Sequence, residues 1–178
     1  TPKPSSAASD VYKRQKNLKL AVMGGLPASE TKYSVSEFKE MLSAYKDMDN
    51  IDIKQNLREF IKEIMPVAEE NNVNMGIHPD DPPIPLFGVP RIVSTMDDYQ
   101  YIFDSYDSPC NGMTFCAGSL ASNFYNDVYK IFNTFKKRIN FIHLRNVKKE
   151  KDRKSFYESN HLNAVSYTHL RAHETSLH

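Results

Sequence analysis

The sequence predicts an α/β protein built on a parallel sheet, and three observations carry that reading. Segments with helical spacing alternate with short apolar segments in the order helix, strand, helix, strand, helix, strand, which is the pattern of βα units. The apolar segments, residues 73–78 (VNMGIH), 112–116 (GMTFC) and 139–144 (INFIHL), are each strand length and too short for helices. No glycine-rich dinucleotide turn follows any of them, which weighs against a nucleotide-binding doubly wound sheet. The alternation itself fits an open doubly wound sheet and a closed barrel equally.

The elements are read in chain order. Residues 16–23 (KNLKLAVM) lean apolar, end at Gly24-Gly25 and fit a short strand or a loop. Residues 34–45 start with Ser34 as a cap and put Val35, Phe38, Met41, Leu42 and Tyr45 at helical spacing. Residues 54–71 form a longer helix with Leu57, Phe60, Ile61, Ile64, Val67 and Ala68 on one stripe. Pro66 lies within it and is expected to bend or interrupt it, and Asn71-Asn72 ends it. The strand at 73–78 stops at Pro79. From Pro79 to Arg91 the chain contains Pro82, Pro83, Pro85, Gly88 and Pro90, too many breakers for regular structure, so a long ordered loop is expected.

Ser94 or Thr95 caps the next helix, which runs to about Tyr106 with Met96, Tyr99, Ile102 and Phe103 inward. After the strand at 112–116, residues 126–137 place Val128, Ile131, Phe132 and Phe135 on one helical face. The last strand at 139–144 leads into a charged stretch, 148–154, expected to be a solvated loop.

The chain has 178 residues, 40% of them hydrophobic, enough for one core but short for a complete (β/α)8 barrel of about 250 residues. A net charge of +1 supplies no field for nucleic acid, and no apolar run approaches the roughly 20 residues of a membrane span. The N-terminal residues lack an apolar signal core. Two cysteines, Cys110 and Cys116, make no disulfide framework, so a cytoplasmic protein with reduced thiols is the expectation.

Both ends look foreign to the rest. Residues 10–15 (DVYKRQ) are encoded by GATGTGTATAAGAGACAG, and the reverse complement of that DNA encodes residues 165–169 (VSYTH), starts the codon of Leu170 and is preceded by the end of an alanine codon, where Ala164 stands. Such an inverted repeat resembles a transposon-type sequencing adapter. Residues 1–15 and 164–178 are therefore read as adapter-like tails, with 16–163 as the native portion, and His169, His173 and His178 carry no chemistry in this reading.

The chemistry sits at the strand ends. His78, Cys116 and His143 each close one of the three strands. In a parallel sheet the carboxyl ends of all strands share one rim, so three ligands there converge without further assumption. Imidazole and thiolate are good donors to divalent transition metals, and three protein ligands with open positions suit a catalytic ion. Singly, each has a plainer reading: a histidine on an apolar strand is more often hydrogen-bonded core, and a buried cysteine is usually an inert small hydrophobe. Asp80 and Asp81 follow His78 and suit partners of its imidazole or a general base, or else a solvated turn. Arg91 suits bidentate pairing with a substrate carboxylate, or a surface ion pair. Arg145 and Asn146, just past His143, suit hydroxyls or a carboxylate. Ser119 lies on the loop after its strand, where Gly118 permits close backbone approach. Cys110 reads as structural, and His161 as a surface residue.

At these residues the chain resembles a known family. Residues 77–83 (IHPDDPP) and 85–95 (PLFGVPRIVST) look like the signature loop of mannonate dehydratases. Residues 111–119 (NGMTFCAGS), 141–147 (FIHLRNV) and 156–163 (FYESNHLN) resemble three further blocks, and 64–70 (IMPVAEE) fits as well, in order along 16–163. The resemblance implies a partial TIM (β/α)8 barrel, related to metal-dependent sugar isomerases. It implies dehydration of D-mannonate to 2-keto-3-deoxy-D-gluconate in hexuronate breakdown with Mn2+ or Fe2+. It implies His78, Cys116 and His143 as metal ligands; the place of the other residues on the rim, not the resemblance, puts Arg91, Ser119, Arg145 and Asn146 at the substrate and Asp80 and Asp81 behind the ligands. The family's remaining ligand, an aspartate in an Asp-His segment, and its acid/base group have no counterpart here, and its first strands precede residue 16. The expectation is a fragment that is inactive and aggregation-prone by itself, and a homo-oligomer when full length. Two other readings stay open: a sugar isomerase or epimerase on the same barrel, disfavoured by Cys116 and the proline-rich loop, and a non-catalytic metal-binding remnant.

Overall fold

A computed structural model describes residues 35–152 and 155–160. The expected segment at 16–23, the cap Ser34, the tails at 1–15 and 164–178, and residues 161–163 with His161 lie outside the described residues.

The described chain runs α1 (Val35–Ser43), α2 (Asn50–Glu70), β1 (Met75–Ile77), α3 (Met96–Ser105), β2 (Asn111–Cys116), α4 (Ala117–Ser122), α5 (Val128–Phe135), a 3-10 turn (Lys136–Arg138), β3 (Ile139–His143), β4 (Val147–Lys149) and β5 (Phe156–Glu158). Strands β1, β2 and β3 form a parallel sheet in that order, so the expected α/β architecture is present. β4 and β5 pair as a separate antiparallel hairpin.

α2 starts four residues earlier than its hydrophobic spacing implies because Asp49 and Asp52 form a reciprocal cap. Asp49 Oδ1 accepts from the Ile51 and Asp52 amides at 2.7 and 3.0 Å, and Asp52 Oδ2 accepts from the Asp49 amide at 3.1 Å. The helix is not interrupted at Pro66. The proline lies on the exposed side, while Ile61, Met65 and Ala68 anchor the opposite face. Phe60 and Val67, expected inward, are more than half exposed. They sit one position off the stripe that the core selects, which includes Met65 instead. Met41 of α1 and Tyr45 just past its end are likewise exposed, and α1 meets the long loop through Phe38, edge-on to Phe87 at 5.1 Å. α2 ends at Asn71-Asn72 as expected, with Asn72 left-handed at φ 54°.

The core joins Ile61 and Met65 of α2 to Tyr99, Ile102 and Phe103 of α3, Met113 and Phe115 of β2, and Ile131 and Phe135 of α5. β2 is buried at every residue, as a central parallel strand covered on both faces must be. Asn140 on β3 reaches across β2 to donate to the Met75 carbonyl at 2.7 Å. It passes over Gly112, where an added Cβ would fall 2.2 Å from Asn140 Nδ2 and 2.6 Å from the Arg138 carbonyl oxygen. Glycine at that position lets one side chain tie all three strands. β3 carries Phe141 and Ile142, both more than half exposed.

Two elements depart from expectation. The segment holding Ser119 is the short buried helix α4, not a loop. Its six small or apolar residues are too few to give a helical period. The charged stretch after residue 147 is in part strand β4, whose Val147 packs with Phe156 and Ala121. Of the two lysines that mask it in the sequence, Lys148 is exposed, whereas Lys149 is half-buried and donates to the Asn123 carbonyl at 3.0 Å.

Candidate metal centre

Each expected ligand is placed by the sheet. His78 directly follows β1, Cys116 closes β2, and His143 closes β3 opposite Cys116 in the ladder. The end of β1 is held by Tyr99 of α3, whose hydroxyl donates to the Ile77 carbonyl at 3.1 Å. Tyr99 is fully buried, so its hydroxyl would be costly to leave without that bond.

One ligating atom from each of His78, Cys116 and His143 lies within 4.8 Å of the others. Cys116 Sγ is 3.4 Å from His143 Nδ1, and the two imidazole centroids are 6.0 Å apart. Bonds of about 2.0–2.3 Å to a shared ion put ligand atoms roughly 3.3–4.5 Å apart. The cluster is therefore close to the size one divalent ion requires, and its N/S/N donors suit a transition metal. The sulfur is buried and both histidines are open on one side, so the rim offers its free positions outward.

The electrostatics shift Cys116 toward its thiolate form and His78 toward its charged form. Burial pushes the Cys116 thiol up, but hydrogen bonds from His78, the Ser119 hydroxyl and the Ser119 amide outweigh it, and the net shift is downward. His78 is raised: its bond to Cys116 outweighs the effect of burial, and its Nδ1 contact with the Pro79 carbonyl at 2.7 Å adds to it. Each shift has the direction expected where a thiol and an imidazole are hydrogen-bonded to one another.

The other expected residues, Asn146 apart, divide into two groups. Asp81, Ser119 and Arg145 are brought to the candidate ligands. Ser119 Oγ is 3.1 Å from Cys116 Sγ, and Arg145 donates to Ser119 Oγ at 3.2 Å and to Asp81 Oδ2. Asp80 and Arg91 organise the long loop instead. Asp80 Oδ2 accepts from the Ile92 and Val93 amides at 2.9 and 2.7 Å and from the Ser94 hydroxyl at 3.2 Å. Arg91 donates from Nε to the Ile84 carbonyl at 3.2 Å and pairs with Asp80 at 3.8 Å. Asn146 is buried and donates to the Asn160 carbonyl at 3.2 Å. Glu158, on β5, was not singled out in the sequence, although it stands inside one of the family-like blocks. It accepts from Arg145 Nε at 2.6 Å. Its signal was faint because no spacing relates β5 to the three ligand strands.

Comparison with known proteins bears on this arrangement. A family model described as D-mannonate dehydratase (UxuA) matches residues 7–175. The mannonate dehydratases of Chromohalobacter salexigens and Saccharophagus degradans are each 44% identical over 141 residues, 79% of this chain and 36% and 35% of theirs. That of Marinomonas sp. is 40% identical over the same length. The crystal structure of mannonate dehydratase from Streptococcus suis serotype 2 matches with a TM-score of 0.62 at 44% identity, over 65% of this chain and 33% of that one. The chain thus spans about a third of the length of the curated relatives it matches. A match running across nearly the whole sequence, with the solved relative sharing its α/β arrangement, establishes the family: the chain belongs to the D-mannonate dehydratase (UxuA) family.

Proposed function

We propose that this chain supplies three metal ligands and part of the substrate rim of an enzyme that converts D-mannonate to 2-keto-3-deoxy-D-gluconate and water. The observation that carries the reading is the convergence of His78, Cys116 and His143 to within 4.8 Å on one strand-end rim. The three parallel βα units correspond, in this proposal, to part of a TIM barrel of the metal-dependent sugar-isomerase kind. The exposed Phe141 and Ile142 of β3 suit a strand whose neighbour is supplied by the remainder of such a barrel.

The reaction removes the C2 proton and the C3 hydroxyl of the sugar acid, and the resulting enol becomes the 2-ketone, so one water is lost. A divalent cation, Mn2+ or Fe2+, when bound supplies Lewis acidity to the substrate carboxylate and an adjacent hydroxyl, easing loss of the C2 proton. His78, Cys116 and His143 hold that cation, so none of them serves as the base. Arg91 is proposed to meet the carboxylate: its guanidinium has five N–H groups, and the protein contacts on it are one Nε bond and one long pair at 3.8 Å. Asp80 fixes the loop that carries it. Asn146, three residues past the end of β3 and buried, is proposed to back the binding wall. The acid/base group and the remaining ligand are proposed to lie in the longer protein, so the 178-residue chain by itself is expected to be inactive.

The enzyme is proposed to be cytoplasmic, acting on a small sugar acid, with a homo-oligomer as its full-length form. No helix among the described residues is long and apolar enough to cross a membrane. The native portion is proposed as residues 16–163, which genomic sequence across both junctions tests: a reading frame that departs from the tails supports it, and one that encodes them overturns it. The function is tested by reconstituting the metal-free full-length protein with Mn2+ or Fe2+ and supplying D-mannonate and, separately, keto-sugars. Formation of the 2-keto-3-deoxy acid from mannonate alone supports the dehydratase. Interconversion of keto-sugars would instead establish the isomerase.

A further inference from the structure

Ser119 and Arg145 stand at the rim where a substrate contact is the first expectation, but their polar atoms are turned to the protein. All three guanidinium nitrogens of Arg145 are engaged. Nε and Nη2 meet Glu158, and Nη1 meets both Asp81 and Ser119 Oγ. The stem of the arginine is equally fixed. A Cβ at position 118 would fall 2.7 Å from Arg145 Cγ, 2.9 Å from its Cβ and 3.0 Å from its Cδ. The stem therefore runs against bare backbone that only Gly118 offers.

Ser119 is buried to 1% exposure, with its Oγ 3.2 Å from Arg145 and 3.1 Å from Cys116 Sγ. A guanidinium has donors only, so the serine oxygen accepts from Arg145, and its single proton remains for the sulfur. A thiolate ligand has no proton to give, so the direction of the chain is fixed as Arg145 to Ser119 to Cys116. Hydrogen bonds in such a chain polarise one another, the more so out of water.

We infer that Ser119 and Arg145 are positioning residues for the Cys116 ligand: the chain of hydrogen bonds they form sets the place and donor strength of the sulfur, and Asp81 and Glu158 lock the guanidinium that starts it. The inference rests on the metal-centre reading above. It joins three separate strand-end segments, those after β1 and β3 and β5 itself, to a single ligand. Outer groups of this kind change metal affinity by about 10–100-fold when removed.

The test is a Co2+ titration of the metal-free full-length protein, following the thiolate-to-cobalt charge-transfer band, for the parent and for S119A, R145Q and G118A. Loss of a hydrogen bond raises the energy of the sulfur lone pairs, so S119A is expected to move the band to lower energy and to weaken Co2+ binding by about 10–100-fold. R145Q and G118A are expected to shift it in the same direction. R145Q leaves two carboxylates without their cation and G118A crowds the stem. If either fails to fold, S119A, which removes one oxygen atom, decides the matter alone. An unchanged band and unchanged affinity in S119A, with a raised KM for mannonate, overturns the inference and restores Ser119 to the substrate. Absence of any thiolate band in the parent protein refutes the metal-centre reading itself, a result distinct from an S119A band that does not move.

Discussion

Gly112→Ala should loosen the sheet at the point where one side chain ties its three strands. The new Cβ would sit 2.2 Å from Asn140 Nδ2, 2.5 Å from its Cγ and 2.6 Å from the Arg138 carbonyl oxygen. Ordinary contact begins near 3.4 Å, so the amide must leave, breaking its 2.7 Å bond to the Met75 carbonyl. That bond is worth about 1 kcal/mol. The Arg138 oxygen is backbone and cannot rotate away, so β3 must also shift, an overpacking cost of about 1–3 kcal/mol. Alanine restricts the unfolded chain and returns about 0.4–1 kcal/mol. The net destabilisation is about 2 kcal/mol. With a urea slope of about 1–3 kcal/mol/M, the unfolding midpoint of the full-length protein should fall by about 1 M. Because β2 and β3 carry Cys116 and His143, Mn2+ affinity should weaken as well. Asn140→Ala removes the rotatable part of the clash but not the carbonyl, so G112A in the N140A background should still destabilise, by less. A G112A midpoint within about 0.2 M of the parent, roughly 0.5 kcal/mol or less, would refute the argument from close approach.

Other expectations follow from single contacts. Tyr99→Phe removes a buried donor and leaves the Ile77 carbonyl without it; the loss should be about 1–2 kcal/mol in urea unfolding, with weaker metal binding because His78 is the next residue. Mn2+ at a hundredfold excess over its Kd should raise the stability of the parent by about 2.7 kcal/mol, seen as a shift in thermal midpoint that chelator reverses and C116A abolishes. Glu69 is held below its ordinary 4.5 by hydroxyls of Ser108 and Tyr106. A depressed carboxyl stabilises the fold above its unfolded value and loses that contribution as pH falls through the folded one. The small stability difference between the parent and Tyr106→Phe should accordingly be present at neutral pH and shrink as pH falls below 4.5; a difference that grows with acid would contradict the assignment.

The sheet and the convergence of the three candidate ligands were legible because parallel strands impose their own geometry. Once 73–78, 112–116 and 139–144 read as strands, the terminal positions of His78, Cys116 and His143 followed, and the ladder that sets Cys116 opposite His143 adds the register. Thr95 as a cap and Asn71-Asn72 as a stop were equally readable, since caps are local chemistry. The rest depended on tertiary choices. Nothing in the spacing of α2 says that the core takes Met65 and leaves Phe60 and Val67 outside. α4 is too short to declare a period, and β4 is hidden by its lysines. Adjacency relates Asp80 to His78, but its carboxylate turns to the amides at 92 and 93, a contact that no local rule anticipates. The two carboxylates on Arg145 come from β5 and from the loop after β1, 13 and 64 residues away, so a substrate role was the natural first reading of an arginine there.

The most direct test of the account is the Mn2+ stoichiometry and affinity of the full-length protein, measured from the EPR signal of free Mn2+, alongside mannonate turnover, for the parent and for His78→Ala, Cys116→Ala and His143→Ala. The account predicts one Mn2+ per chain in the parent, and loss of tight binding and of turnover together in each variant. Variants that keep both the ion and the activity would contradict it.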